Sequence, residues 1–131
     1  MASIKTVLKK TKTQAIVKIV GDGNVTISPS DIVHSSQTID SPNVFFPISA
    51  IIYNLKGDTN ILRNSNSVLQ LNGATYGSFD LAQGYGAQIR EDANANVLVT
   101  LAVGYNTVIL TFSKEAGFVE TDRQTLQPKD R

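Results

Sequence analysis

Residues 57–73 read GDTNILRNSNSVLQLNG. Ile61 and Arg63 alternate with Leu62, and Val68 and Gln70 alternate with Leu69 and Leu71. That period of two belongs to strands that turn one face inward. Between the runs lie Asn64, Ser65, Asn66 and Ser67, small polar residues that tolerate turn geometry. Asn takes positive φ more readily than other non-glycine residues, so Asn64 or Asn66 closes the turn. Gly57 and Gly73 bracket the unit. The stretch predicts a β-hairpin in an all-β domain and carries no chemistry of its own.

Outward from this hairpin the same period recurs. Ala15, Val17 and Ile19 face one way within Thr13–Val20. Gly21-Asp22-Gly23-Asn24 reads as a tight turn, with Val25–Ser28 returning as a hairpin partner. Ser30 and Asp31 cap a single helical turn over Ile32 and Val33. In residues 48–53, Ile48, Ala50 and Ile52 alternate with Ser49, Ile51 and Tyr53; with both sets largely apolar, this is a central strand. Phe79 and Leu81 form one short inward-facing piece. Val97, Val99, Leu101 and Val103 share a face, Gly104-Tyr105-Asn106 turns, and Val108, Leu110 and Phe112 return as a second hairpin. About eight strands at this spacing predict an antiparallel β-sandwich, jelly-roll-like, with extended N- and C-terminal arms. The division expected is a basic arm over 1–12, a sandwich over 13–114 and a tail over 115–131.

Composition narrows the chemistry. A chain of 131 residues is one domain by size and holds a core without staples. There is no Cys, which removes disulfides, thiolate metal sites and cysteine nucleophiles. A net charge of +1 gives no global field toward nucleic acid or a membrane surface. No apolar run reaches the length of a membrane span, and no secretory h-region is expected at the N-terminus. The sole imidazole, His34, is expected in a loop, hydrogen-bonded or exposed, and one His without Cys makes no zinc site. Gly21-Asp22-Gly23 lacks both the following helix of a phosphate loop and the acidic ladder of a calcium loop. Glu91 and Asp92 are neighbours, which on a strand point to opposite faces and make a poor acid–base dyad. Asp58, Asp80 and Glu91 are the acids a hydrolytic reading would need. No catalytic, cofactor-binding or metal-binding residue is assigned, and the expectation is of a chain that is not an enzyme.

Two sets of residues are candidates for binding. Lys5, Lys9, Lys10 and Lys12 all precede the first acid, Asp22. They read either as edge-protecting lysines on a short strand carrying Ile4, Val7 and Leu8, or as an arm that docks on an acidic partner surface. No aromatic or Arg is interleaved for stacking on nucleic acid. Phe118 and Val119 would anchor the tail. Tyr76, Tyr85 and Tyr105, set beside turns, read as lids over the end of the sandwich or as ring platforms for a sugar or a partner.

The order of these motifs resembles a known group. Leu8-Lys9-Lys10-Thr11-Lys12-Thr13 followed by Ala15-Ile16-Val17-Lys18-Ile19-Val20-Gly21 is similar to the start of small virion structural proteins of tailed marine bacteriophages, especially those of cyanobacteria. Gly57-Asp58, Ile61-Leu62-Arg63-Asn64 and Val68-Leu69-Gln70-Leu71-Asn72-Gly73 resemble their central hairpin, and Phe79-Asp80 and Thr107–Lys114 fit the same layout. The resemblance covers most of residues 4 to 114. It implies a non-enzymatic capsid decoration or cement protein in the virion, a homo-oligomer or present in many copies, and bound to the major capsid protein or other virion proteins. The alternative in the same setting is a neck, tail or fibre subunit that binds host-surface carbohydrate.

Overall fold

The computed structural model describes residues 3–80 and 88–120. In chain order the elements are β1 (Ile4–Lys10), β2 (Gln14–Ile27), α1 (Pro29–Ile32), β3 (Gln37–Ile39), β4 (Ile48–Asn54), β5 (Thr59–Arg63), β6 (Asn66–Leu71), β7 (Tyr76–Asp80), β8 (Val97–Ser113) and β9 (Phe118–Glu120). All described strand pairs are antiparallel. The all-β, sandwich-like architecture expected from the sequence is the one observed.

The frame is made by two long strands. β2 and β8 run side by side over almost their whole length, from Gln14↔Ser113 to Ile27↔Val97. The N-terminal half of β2 and the C-terminal half of β8 belong to a five-stranded layer in the order β1-β2-β8-β4-β7. Beyond a corner, the C-terminal half of β2 and the N-terminal half of β8 continue into a second layer with β5 and β6. The sandwich is thus one sheet folded over on itself, its corner turned by strands that pass from one layer to the other.

This overturns the two hairpins expected at Gly21–Asn24 and Gly104–Asn106. Both segments are bends inside continuous strands. They lie opposite each other: Gly21 pairs with Asn106 and Gly23 with Leu101, so Ala102, Val103, Gly104 and Tyr105 stand against Asp22 alone. Gly21, Gly23 and Gly104 have φ of 121°, 89° and 125°, which a side chain would strain. The corner leaves backbone groups without ladder partners, and Asn106, fully buried, takes them up. Its Nδ2 donates to Gly21 O (3.0 Å) and Ala102 O (2.7 Å), and its Oδ1 accepts from the N–H groups of Lys56 (2.8 Å) and Gly57 (3.1 Å). Asp22 Oδ2 accepts from Gly104 N at 3.1 Å.

The core lies between the layers. Ala15, Val17 and Ile19 enter from one half of β2, Val25 and Ile27 from the other; Val97, Val99, Leu101, Val108, Leu110 and Phe112 enter from β8. β4 departs from strict alternation. A bulge between Ile48 and Ala50 resets its phase, so Ile51 is 1% exposed while Ile52 is 53% exposed. Ser49 sits in the bulge and donates to Thr111 O at 3.2 Å. The expected face of Ile48, Ala50 and Ile52 is therefore split.

The β5–β6 hairpin is present, its two-residue turn made by Asn64 and Ser65 at φ of 53° and 66°. α1 is the short turn expected over Ile32, but its N-cap is Ser28 and Ser30 lies within it; Ser28 N donates to Asp31 Oδ2 at 2.8 Å. Most of the segment read as an N-terminal arm is strand β1, paired with β2 from Ile4↔Val20 to Lys10↔Ala15. Residues 118–120 of the segment read as a tail form β9 on β3.

Replacing Asn106 with Ala removes the side-chain partner of three carbonyls and two amides at the corner. Stability is expected to fall by at least about 3 kcal/mol in urea unfolding, whereas Asn24→Ala on the exposed face shifts it by less than about 0.5 kcal/mol.

Candidate functional site

Among the described residues the space between the layers is filled mainly by apolar side chains, and the largest buried polar ones, Arg63, Asn106 and Lys114, are bound to backbone groups. Acidic residues sit at the rim, mostly engaged in local structure. Asp58 Oδ1 accepts from Gly73 N at 2.7 Å, and Asp92 Oδ2 accepts from Asn66 Nδ2 at 2.9 Å. Among the described residues, no three His, Asp or Glu side chains come together in a way that could hold a metal ion. His34 lies in a loop, half-buried, its Nδ1 2.8 Å from Ser36 Oγ.

The four lysines divide into two pairs. Lys5 Nζ reaches across the open edge of the sandwich to Asp31 Oδ2 (2.8 Å) and Thr26 O (2.8 Å). Partial burial opposes ionisation of Asp31, but Lys5 and the Ser28 hydrogen bonds outweigh it and hold the carboxyl below its ordinary range. Lys12 pairs with Glu120 at 3.1 Å. Lys9 and Lys10 make no ion pair with a described residue and are exposed at the C-terminal end of β1, next to exposed Leu8.

At the same end of the fold, Phe118 is part of the packing. Its ring meets Phe46 edge-on at 6.2 Å and lies 4.8 Å from Lys114 Nζ. Val119, the next residue, is half-exposed. Lys114 is buried and donates to Thr11 O (2.7 Å), Ile32 O (2.8 Å) and Gln37 Oε1 (2.7 Å). It therefore ties the β1–β2 turn, α1 and β3 together. Burial, helped by Lys10, pulls its pKa down to about 8, against the pull of Glu120.

A second buried cation closes the other side. Arg63 donates to the carbonyls of Phe46 (2.9 Å), Ala93 (2.9 Å) and Ala95 (2.8 and 3.1 Å), and lies over the Phe46 ring at 4.3 Å. Burial lowers its pKa to about 10, Asp92 offsetting part of the effect, so it stays charged at neutral pH.

The tyrosines fall on the surface. Tyr76 is 82% and Tyr105 73% exposed, neither lidding the sandwich; Tyr85 lies outside the described residues. Tyr105 and Val103 protrude because the corner of β8 bulges outward.

One feature escaped sequence reading. Asn24, Thr100, Asn60 and Gln70 occupy successive register positions across β2, β8, β5 and β6, forming a polar row on the outer face of the second layer. A cleft of about 200 Å³ lies against it, with Asp58 and Asn72 at its margin. Four residues on four strands share no local pattern, so only the register brings them together.

No protein-family model matches the chain, and no curated protein is detectably similar to it. Solved structures are similar at the level of fold. KdgF from a Halomonas species has a TM-score of 0.40 and 9% identity, covering 87% of this chain and 80% of that one. A candidate mannose-6-phosphate isomerase from Ralstonia eutropha has a TM-score of 0.36 and 15% identity, with coverages of 88% and 86%. The tobacco streak virus coat protein dimer has a TM-score of 0.34 and 16% identity, with coverages of 98% and 95%. The expectation that the chain is not an enzyme does not stand, because a candidate isomerase occurs beside a coat protein among the structures it resembles. These likenesses carry no activity over to this chain.

The Lys114 proton sets a direction for stability. Its folded pKa, about 8, lies below the ordinary 10.5, so between those values the unfolded chain holds a proton that the native state has lost. Unfolding free energy of the wild type, relative to Lys114→Met, is expected to rise with pH from about 8 to 10.5 in parallel urea titrations.

Proposed function

We propose that this chain is a virion structural protein of the decoration type, docking in many copies on the head lattice of a tailed bacteriophage with the major capsid protein as its partner. The observation that carries this reading is strand β1. It is an outer strand of the five-stranded layer, paired on one side only among the described residues, and it presents Leu8, Lys9 and Lys10 to solvent. Exposed apolar and basic side chains on a rigid strand suit lateral contact with an acidic protein surface. The sequence resemblance over residues 4 to 114 supports the same setting. A decoration protein acts through area repeated by symmetry, each specific interface burying on the order of 1,200–2,000 Å².

A second reading is favoured by the polar row Asn24–Thr100–Asn60–Gln70 and its cleft. Amide and hydroxyl side chains on a flat sheet match the hydroxyls of a sugar, which fits a neck, tail or fibre subunit that binds host-surface carbohydrate.

Quantitative gels and cryo-electron imaging of purified particles test the first reading. Hundreds of copies over the head lattice are expected, with lattice binding weakened at least about tenfold by the Leu8→Asp/Lys10→Glu double variant. Absence from particles overturns it. A dozen or fewer copies at a vertex or tail, with glycan-array binding lost in Asn60→Ala, replaces it with the second.

A further inference from the structure

No described residue covers the outer face of the five-stranded layer, and its residues form three rows across β1, β2, β8, β4 and β7. The rows are Ile4–Val20–Thr107–Asn54–Tyr76, Thr6–Lys18–Ile109–Ile52–Ser78 and Lys9–Ile16–Thr111–Ala50–Asp80. Directly paired residues share a face, so these side chains stand together on the side away from the core. Ile4, Ile52 and Tyr76 are exposed; Ile16, Val20 and Ile109, on the inner strands, are half-buried. Six large apolar side chains on one flat face form a patch of the kind that marks an interaction surface.

We infer that this face packs against the same face of a second copy, about a two-fold axis running along β8. The assignment rests on how the rows map onto themselves. Such an axis lays β1 over the partner's β7 and β2 over its β4, and stacked sheets keep their strands within about 30° of alignment. Ile109 and Thr111 then meet their own counterparts. Ile4 faces the second copy's Tyr76, and the Lys18 stem lies over the second copy's Ile52. At the rim Lys9 faces the second copy's Asp80, and symmetry makes that attraction twice. A partner of different sequence would not need opposite charges at the two ends of one row.

The size of the patch sets the strength. Five strands spaced about 4.8 Å apart and six residues long give a footprint of roughly 24 by 20 Å per copy. That is below the roughly 800 Å² per partner of a standard interface, so the dimer belongs in the micromolar range. The inference stands apart from the proposed function, because self-association is read on the isolated full-length chain.

Sedimentation equilibrium of that chain from about 1 to 200 µM is expected to show a monomer–dimer equilibrium. Ile52→Lys, at a half-exposed position that tolerates a long side chain, is expected to leave only monomer. Lys9→Asp and Asp80→Lys are each expected to weaken the dimer about tenfold, and together to restore it, since the combined variant re-pairs the charges. The combined variant keeps the test valid should Ile52→Lys fail to fold. A monomer throughout the range, a dimer indifferent to Ile52→Lys, or a double swap no better than the single ones would each overturn the inference.

Discussion

The fold depends on turning a corner in two hydrogen-bonded strands at the same level. A ladder that bends sharply breaks its own pairing, and broken backbone pairs in a dry interior cost free energy comparable to a lost hydrogen bond each. Here β8 spends four residues where β2 spends one, and glycines at positive φ absorb the change of direction. Asn106 then supplies donors to the carbonyls of Gly21 and Ala102 and an acceptor for the amides that follow β4. An amide side chain suits the position because it offers both donors and an acceptor without a charge to desolvate. Without the corner, the two apolar halves of β2 and β8 would lie on one flat sheet with nothing to bury them.

The same requirement recurs where chain without regular structure enters the core. The residues around Ala93 and Ala95 and those around Thr11 and Ile32 have carbonyls directed inward, and buried cations meet them: Arg63 at the first, Lys114 at the second. Burying a cation carries a desolvation cost, which appears as the lowered pKa of both groups. Each nevertheless satisfies several acceptors at once and fixes chain segments far apart in sequence. These two cations, which a catalytic reading of the chain would single out for their shifted pKa values, are held by carbonyls and an amide rather than turned toward a cleft.

Period and turn chemistry made much of this legible. The inward sets of β2 and β8, apart from the exposed Val103, and the Asn64 turn follow from local residue pattern; so does the helical turn over Ile32, though Ser28 and not Ser30 caps it. The corner was not legible, because Gly-Asp-Gly-Asn serves a hairpin turn or a strand bend equally well; which of the two forms is decided by pairing between β2 and β8, some eighty residues apart. The phase of β4 hinged on a single bulge at Ser49, a residue whose hydroxyl finds a carbonyl only in the folded sheet. The lysines are equivalent along the chain, yet Asp31 and Glu120 claim Lys5 and Lys12 and leave Lys9 and Lys10 exposed. Surface rows were invisible for the same reason as the corner, since each draws one residue from each of several strands.

The corner also divides the surface. β2 and β8 contribute to both layers, but their outward residues change character across the bend. Before it β2 shows Ile16, Lys18 and Val20, and after it Asn24 and Thr26. On β8 the outward residues over the first layer are Thr107, Ile109 and Thr111; over the second, Thr100 stands in the polar row with Asn60 and Gln70. Core burial cannot account for this difference, because all these side chains point away from the core. A sheet face in water is served well by amides and hydroxyls, and the second layer has them in one row, with Leu98 and Leu62 paired between Thr26 and Ser67 in the next. The first layer instead exposes isoleucine and valine, whose burial is worth about 25 cal/mol per Å² and is forgone in the isolated chain. One strand pair thus bears a row of amides and hydroxyls on one side of the bend at Asn106 and a patch of isoleucine and valine on the other.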